Sequence, residues 1–477
     1  MNKKTFVKYA ILWIFLPAIA LAQTKESISR IDSVRNEFVK LYNEGNGKAI
    51  FNMCDTGFQK YLKSYNYDQW SLETKQHLGE CIQTIKTKQL NDAAVYKAYF
   101  QNDSMSLTLA INRLGKMTGF IIKPLPLPQK KYIVQSNNPL KNSVDSLVER
   151  IVRPYIQQEN TVGVSIGIID NGKIYSYGYG ETEKGNHQIP TDNTIYEIGS
   201  ITKTFTATLL AEMVLLGKCK LSDPVNKYLP DSIPVLQKNG VKVTLEMLAN
   251  HTSGLPREAS DILRIIGDSF SDPYRDYDDN AMFSYLDSVK LRSVPGTRFV
   301  YSNLGFGLLG TILERISGLN YQQSIEKCIC NPLHLTDTRT TLSEKQQQRF
   351  AEGYSERGNP TLHYHFESMA GCGAIRSSVQ DMLKYLNAHL TENDSTNLLK
   401  AFQLCERPTF QIVGNHVGLG LLIPEYSPEW YWHNGRTGGF SSYCAFNPDK
   451  KIALVILANS AIGVDNEGIE LRKALSK

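Results

Sequence analysis

Residues 199–216 read GSITKTFTATLLAEMVLL, and this stretch predicts a long buried helix with two reactive side chains at its start. The residues that follow Lys203 are strongly helical, and Gly199 permits a tight entry, so Ser200 is predicted to lie at a helix N-terminus. Lys203 comes one turn later on the same face, which brings its amine beside the Ser200 hydroxyl. Free backbone N–H groups at a helix start favour a developing anion. A serine becomes a nucleophile when a neighbouring base takes its proton, and a buried lysine can be that base.

One Ser-x-x-Lys match is weak evidence, because residues 324–327 (SIEK) have the same form. A second element, Tyr-x-Asn, also occurs twice, at Tyr301 to Asn303 and at residues 385–387. Tyr301 lies at a predicted loop-to-helix boundary, from which its hydroxyl can relay protons to a leaving group. The alternative is a core tyrosine capped by the asparagine.

The third element is the stretch Trp432 to Phe440, which reads WHNGRTGGF and resembles an edge strand followed by a glycine-rich turn. Gly435 and the later glycines let backbone approach a ligand closely. A backbone N–H here, facing that of Ser200, would complete an oxyanion hole. The alternative is a glycine-rich hairpin with a solvated His433.

The order of the three elements carries a family resemblance. Ser-x-x-Lys, then Tyr-x-Asn roughly 100 residues later, then His-x-Gly roughly 130 further on, resembles the serine β-lactamase and penicillin-binding-protein family. Within it, the closest likeness is to the class C β-lactamase, D-aminopeptidase and esterase branch. Three further segments, residues 248–256, 331–338 and 371–378, support the resemblance. It extends over about residues 141 to 460.

The resemblance implies roles for four side chains. Ser200 would attack a carbonyl carbon and form an acyl-enzyme, and Lys203 would accept and return the proton. Tyr301 would shuttle a proton in acylation and activate water in deacylation. Asn303 would orient Lys203 and the amide of the substrate.

The resemblance also implies that His433 and Gly435 occupy the strand of the family's Lys-Thr-Gly motif. The backbone N–H groups of Ser200 and Arg436 would hold the oxyanion. His433 departs from typical β-lactamases, which carry a lysine there to bind the substrate carboxylate. Histidine is largely neutral at pH 7. We therefore expect D-amino-acid peptides or esters rather than efficient β-lactam turnover, with Arg436 as a remaining source of positive charge.

The fold class predicted for residues 141–477 is α+β. Strands are expected at residues 162–169 and 173–179, around the tight-turn sequence Asp170-Asn171-Gly172, and again at residues 441–446 and 452–457. Both chain ends of this domain would thus build one antiparallel sheet, with a helical region inserted.

A separate small α+β domain is predicted for residues 24–122, because helical periodicity is followed by alternating strands. It resembles small domains of the nuclear-transport-factor and cystatin-like kind. Residues 123–140 begin with alternating prolines, which favour extended backbone, and are predicted to be a linker. The alternative is a proline-bearing edge of the first domain.

Residues 1–22 are predicted to be a signal peptide, since lysines precede a short apolar run and an Ala20-Leu21-Ala22 cleavage pattern. The run is shorter than the roughly 20 residues of a membrane anchor, which is the alternative. We therefore expect a periplasmic or extracellular protein with no stable membrane span after cleavage. The net charge of +5 is small for a chain of this length, and the sequence contains no basic stripe that would suit nucleic acid.

These observations predict an exported serine hydrolase that cleaves an amide or ester through acyl-Ser200. Its partner would be a small-molecule or peptide substrate, cell-wall-derived peptides included. No cofactor and no metal are expected, since serine, lysine and tyrosine suffice. A Ser-His-Asp triad on an α/β-hydrolase fold is the mechanistic rival, but no Gly-x-Ser-x-Gly motif supports it. The functional rival is a penicillin-binding-type receptor or sensor that acylates but turns over poorly.

Overall fold

The computed structural model describes residues 25–62, 67–90, 92–125, 128–262, 272–391, 396–427 and 429–476. It divides into two units, Met1–Leu127 and Pro128–Lys477. The predicted signal peptide, residues 1–22, lies outside the described residues. No helix among the described residues is long and apolar enough to cross a membrane.

The first unit places its helices before an antiparallel sheet, in the order that the sequence pattern predicts. The helices are α1 (Lys25–Asn43), α2 (Gly47–Met53), α3 (Thr56–Leu62) and α4 (Tyr67–Leu78). The strands, paired in chain order, are β1 (Cys81–Gln89), β2 (Ala93–Phe100), β3 (Ser104–Ile111) and β4 (Met117–Pro124). The ring of Phe120 on β4 packs against those of Phe38 and Trp70, with centroids 5.1 and 5.3 Å away, so helices and sheet share an aromatic core. The likeness to nuclear-transport-factor domains stays a prediction.

Residues from Pro128 onward belong to the second unit. Val134 is buried in its core, and the Asn138 side chain donates to the Tyr179 hydroxyl at 2.7 Å. Strand β4 ends at Pro124. Much of the segment for which the sequence predicts a linker, residues 123–140, is therefore packed against the larger unit.

The larger unit is built on an eight-stranded antiparallel sheet, in the order β11-β12-β13-β14-β15-β16-β5-β6. Its strands are β5 (Gly163–Asp170), β6 (Lys173–Gly180), β11 (Phe410–Ile412), β12 (Asn415–Val417), β13 (Leu422–Pro424), β14 (Tyr431–Arg436), β15 (Ser441–Asn447) and β16 (Ile452–Ala458). Two small ribbons pair β7 (Ile195–Glu197) with β10 (Arg376–Ser378), and β8 (Gln237–Lys238) with β9 (Val241–Lys242). Strand β16 pairs with β5, from Ile452 opposite Asp170 to Ala458 opposite Val164. This confirms the predicted α+β fold, with one sheet built from both ends of the domain.

Helices cover both faces of this sheet. They are α5 (Ser143–Ile156), α6 (Thr202–Leu215), α7 (Leu245–Ala249), α8 (Asp279–Ser288), α9 (Asn303–Ser317), α10 (Tyr321–Ile325), α11 (Glu344–Gln347), α12 (Ala370–Gly373), α13 (Val379–His389), α14 (Asn397–Glu406) and α15 (Asp465–Leu475). Side chains alternate along β16, so that Leu454 and Ile456 pack with α5 and α15, whereas Val455 and Leu457 face the helical region. Each such buried side chain stabilises the fold by about 1.5–3 kcal/mol. Helix α6 is buried on nearly all sides, which makes it a rigid support for whatever stands at its N-terminus.

Candidate active site

Ser200 lies in a single 3-10 turn, Gly199–Ile201, that leads directly into α6. Gly199 has a φ of 50°, in the left-handed region that favours glycine. A Cβ at this position would lie 2.7 Å from the backbone nitrogen of Arg436. The turn therefore needs glycine for two reasons, and it sets the Ser200 backbone against the end of β14.

Lys203 is fully buried, and its side-chain amine contacts the Ser200 hydroxyl. The distance from Nζ to Ser200 Oγ is 2.9 Å, and Nζ also donates to the carbonyl oxygen of Cys372 at 2.6 Å. The rings of Tyr301 and Phe306 close the pocket, with centres 5.0 and 5.7 Å from Nζ. A buried base and a partly exposed hydroxyl are thus held at hydrogen-bond distance, which is the arrangement that activates a serine.

Tyr301 is fixed by the start of α9 and by a histidine. The N-cap of α9 is Ser302, whose hydroxyl accepts from the Gly305 N–H at 2.8 Å and donates to the Pro256 carbonyl at 2.6 Å. The His251 ring stacks on Tyr301, with centroids 4.3 Å apart, and its Nδ1 accepts from the Ser302 N–H at 3.0 Å. His251 therefore holds both the ring and the backbone that presents Tyr301 to Lys203.

Asn303 binds a carboxylate that the sequence analysis does not single out. Its Nδ2 donates to Oε1 of Glu258 at 2.5 Å, and the Tyr274 hydroxyl donates to the same oxygen at 3.1 Å. Burial raises the pKa of Glu258 above its ordinary value, against the opposing effect of these hydrogen bonds. Among the described residues no hydrogen bond joins Asn303 to Lys203, and the Cys372 carbonyl binds the lysine instead. The implied role of Asn303 in orienting the lysine stays a prediction.

His433 on β14 is buried and neutral. Burial, followed by the positive charge of Lys203, lowers its pKa to about 3. Its Nδ1 donates to the Asn434 carbonyl at 2.6 Å, and its ring lies 6.3 Å from that of Tyr301. The position where typical family members carry a cation is therefore uncharged at pH 7.

Gly435 is needed for close packing within the protein, and its role in binding a substrate stays a prediction. A Cβ there would lie 2.0 Å from the Ile198 carbonyl oxygen, which accepts a hydrogen bond from the Ser442 hydroxyl at 2.8 Å. The Arg436 side chain forms an ion pair with Asp465, with Nη2 3.0 Å from a carboxylate oxygen. The backbone of β14 thus abuts the turn that carries Ser200, while the charge of Arg436 is already paired.

The second copies of the two motifs serve the core. The Ser324 hydroxyl is buried and lies 3.0 Å from Ser317 Oγ. The Tyr385 hydroxyl donates to Thr204 Oγ1 at 3.2 Å. The structure thus brings together Ser200, Lys203, Tyr301, His433 and the backbone of β14, and leaves the second copies outside. Among the described residues no group of His, Cys, Asp and Glu side chains could hold a metal ion, and all eight cysteines are free thiols.

His251, Glu258 and Cys372 are site residues that the three sequence motifs do not include. His251 lies in the segment 248–256 that supports the family resemblance, and Cys372 lies in the segment 371–378. Glu258 follows the first segment by two positions. Nearness to these segments is the signal that could have drawn attention to them.

The antiparallel sheet with its helical region, and a serine held against a buried lysine, define the class as a serine hydrolase. The family model described as Beta-lactamase matches residues 148–476, most of the chain, so the chain belongs to the beta-lactamase family.

Relatives of two kinds are similar to the larger unit. A beta-lactamase of Escherichia coli (strain K12) is 28% identical over 352 residues, which cover 66% of this chain and 89% of that protein. A D-alanyl-D-alanine-carboxypeptidase/endopeptidase AmpH of the same organism is 31% identical over 333 residues, covering 66% and 84%. The solved structure of a class C beta-lactamase mutant has a TM-score of 0.62 and 26% identity, and covers 71% of this chain and 99% of that one.

Proposed function

We propose that the protein is an exported hydrolase that cleaves an amide or ester through an acyl-Ser200 intermediate. The observation that carries this proposal is the 2.9 Å contact between Ser200 Oγ and the buried Lys203 amine. A base at that distance can take the hydroxyl proton as the oxygen attacks, which typically contributes 10²–10⁴-fold to the rate.

In the first half of the reaction, Ser200 Oγ bonds to the substrate carbonyl carbon while the Lys203 amine takes the hydroxyl proton. The oxyanion of the tetrahedral intermediate would accept hydrogen bonds from the backbone N–H groups of Ser200 and Arg436. Tyr301, whose ring lies 5.0 Å from the lysine amine, passes the proton to the departing nitrogen or oxygen. The carbon–leaving-group bond breaks and the acyl-enzyme remains. A water molecule then gives a proton to Tyr301 and attacks the acyl carbon, while Tyr301 passes its own proton to Lys203. Lys203 returns that proton to Ser200 Oγ as the bond between Oγ and the acyl carbon breaks, which releases the acid and restores the Ser200 hydroxyl.

The charges of the cleft favour D-amino-acid peptides or small esters over β-lactams. Neutral His433 supplies no cation on β14, where typical family members bind a β-lactam carboxylate, and Arg436 on the same strand is paired with Asp465. Two relatives, named as a beta-lactamase and a D-alanyl-D-alanine-carboxypeptidase/endopeptidase, support an acyl-transfer site of this kind.

Export is proposed from the predicted signal peptide, residues 1–22. We expect the protein recovered from a periplasmic or culture fraction of a bacterial host to begin at Gln23. N-terminal sequencing tests this. An uncleaved chain confined to the cytoplasm would contradict it.

The test of the chemistry is the time course of p-nitrophenyl acetate hydrolysis by the mature chain beside Ser200→Ala and Ser324→Ala, with intact-protein mass spectrometry. We expect activity and an acetyl adduct to be lost only in Ser200→Ala. Ser324 is the matched control, because its hydroxyl is buried against Ser317 in the same Ser-x-x-Lys pattern. Equal activity in all three proteins would exclude Ser200 as the nucleophile. A burst followed by a slow phase would favour the receptor that acylates but turns over poorly.

A further inference from the structure

Two consecutive residues of opposite charge, Arg257 and Glu258, lie beside Tyr301 and Asn303. The Arg257 guanidinium is centred 4.9 Å from the Tyr301 ring centre, and 46% of its side chain is exposed. Its Nε lies 3.9 Å from Glu258 Oε1, which is too long for a hydrogen bond. The guanidinium forms no hydrogen bond with any residue that the structure describes. Its planar donors, suited to a carboxylate, are therefore unused.

Glu258 also has unused capacity. Oε1 accepts from Asn303 and Tyr274, whereas buried Oε2 has no hydrogen-bond partner among the described residues. A desolvated carboxylate oxygen without a donor is unfavourable, so a ligand that brought one would be stabilised. The Glu258 side chain as a whole is 31% exposed, so a small cationic group can approach its carboxylate from the side that Asn303 and Tyr274 leave open.

The other charged and titratable side chains that the structure describes at this site are already engaged. His433 is neutral, Arg436 pairs with Asp465 at 3.0 Å, and the Lys203 amine contacts Ser200. An anionic ligand on Arg257 would meet repulsion from Glu258, and a cationic ligand on Glu258 would meet repulsion from Arg257. A ligand with both charges on neighbouring atoms meets neither.

We propose that Arg257 and Glu258 together recognise a free α-amino-acid head group of the substrate, with its carboxylate on the guanidinium and its ammonium on the Glu258 carboxylate. The ammonium and the carboxylate of such a group are attached to one carbon, and so lie as close together as the two side chains. This inference rests on the proposed function, because it names the substrate class of the same cleft.

The test measures binding to the Ser200→Ala chain, so it needs no turnover. Four probes carry both charges, one charge or none: D-alanine, D-alaninamide, N-acetyl-D-alanine and N-acetyl-D-alaninamide, each titrated by NMR. We expect D-alanine to bind at least about tenfold tighter than the others, as for charge-assisted hydrogen bonds. Arg257→Gln should abolish the gain from the carboxylate, and Glu258→Gln the gain from the ammonium.

The control variants distinguish binding at Arg257 and Glu258 from a nonspecific effect of the protein's net charge. Lys473→Gln and Glu470→Gln neutralise an exposed pair on α15, 3.0 Å apart, and should keep the ranking. Arg257→Lys and Glu258→Asp keep the charges and replace any glutamine variant that fails to fold. An unchanged ranking in the Arg257 or Glu258 variants, or no preference for D-alanine in the parent, overturns the inference. Failure of the proposed function would appear separately, as ester hydrolysis that survives Ser200→Ala.

Discussion

Replacing Gly435 with alanine tests whether the close contact between β14 and the Ser200 turn sets the site. The added Cβ would lie 2.0 Å from the Ile198 carbonyl oxygen and 2.5 Å from Ser442 Oγ, where ordinary contacts begin near 3.4 Å. Neither neighbour is flexible, because one is backbone and the other bonds to it at 2.8 Å. The strand and the turn must therefore separate by more than 1 Å.

Two costs follow from that separation. Overpacking costs about 1–3 kcal/mol. If the Ser442 hydroxyl loses the Ile198 carbonyl, an unsatisfied buried group adds about 1–3 kcal/mol. We expect the free energy of unfolding of Gly435→Ala to fall by about 2–6 kcal/mol in sum. We expect kcat to fall about 10²–10³-fold, as when one oxyanion donor is displaced.

Urea unfolding and p-nitrophenyl acetate kinetics measure the two effects. Gly57→Ala in α3 is the control, because its Cβ would find no atom closer than 3.5 Å, and it should unfold at the same or slightly higher urea concentration. If Gly435 instead serves ligand approach, Gly435→Ala would keep its stability and raise only KM. That result would refute the packing argument.

Three further predictions concern single side chains. Lys203→Arg should lower kcat about 10²–10⁴-fold, because a guanidinium stays protonated and cannot accept the Ser200 proton; ester hydrolysis within tenfold of the unmutated chain would contradict this. His251→Asn tolerates the left-handed φ of 63° but removes the buried ring stacked on Tyr301, so kcat should fall on the order of 10-fold; loss of the acceptor for the Ser302 N–H should lower the free energy of unfolding by about 1–3 kcal/mol, and a change in KM alone would contradict the prediction. His433 has a folded pKa of about 3, below its unfolded value near 6.5, so the unfolded chain binds the extra proton and stability falls as pH drops from 7 towards 3. In urea unfolding, His433→Gln should lose less stability over that range, and equal slopes would contradict the assignment.

The parts of the site that were predictable from sequence are those fixed by local geometry. Ser200 and Lys203 are one helical turn apart, so a helix over that stretch brings them together whatever surrounds it. The sheet was predictable for a similar reason, because alternating strands and the tight turn around Gly172 carry their own signals.

What was not predictable depends on contacts between distant segments. The Cys372 carbonyl that binds Lys203 belongs to a segment 169 residues later, and no side-chain pattern marks a backbone acceptor. The Glu258 carboxylate meets Asn303 only because the loop after α7 packs on the start of α9. The role of Gly435 likewise shows only when the Ile198 carbonyl is in place.

The pairing of β16 with β5 has a consequence for how the enzyme is made. Strand β5 at Val164 cannot pair with β16 until Ala458, about 290 residues later in the chain, has been synthesised. A ribosome that has released only the Ser200 and Lys203 segment has made the reactive pair without the strand β14 that stands against it. The sheet therefore stays open, and the reactive pair lacks the strand beside it, until residues 431–458 have been synthesised.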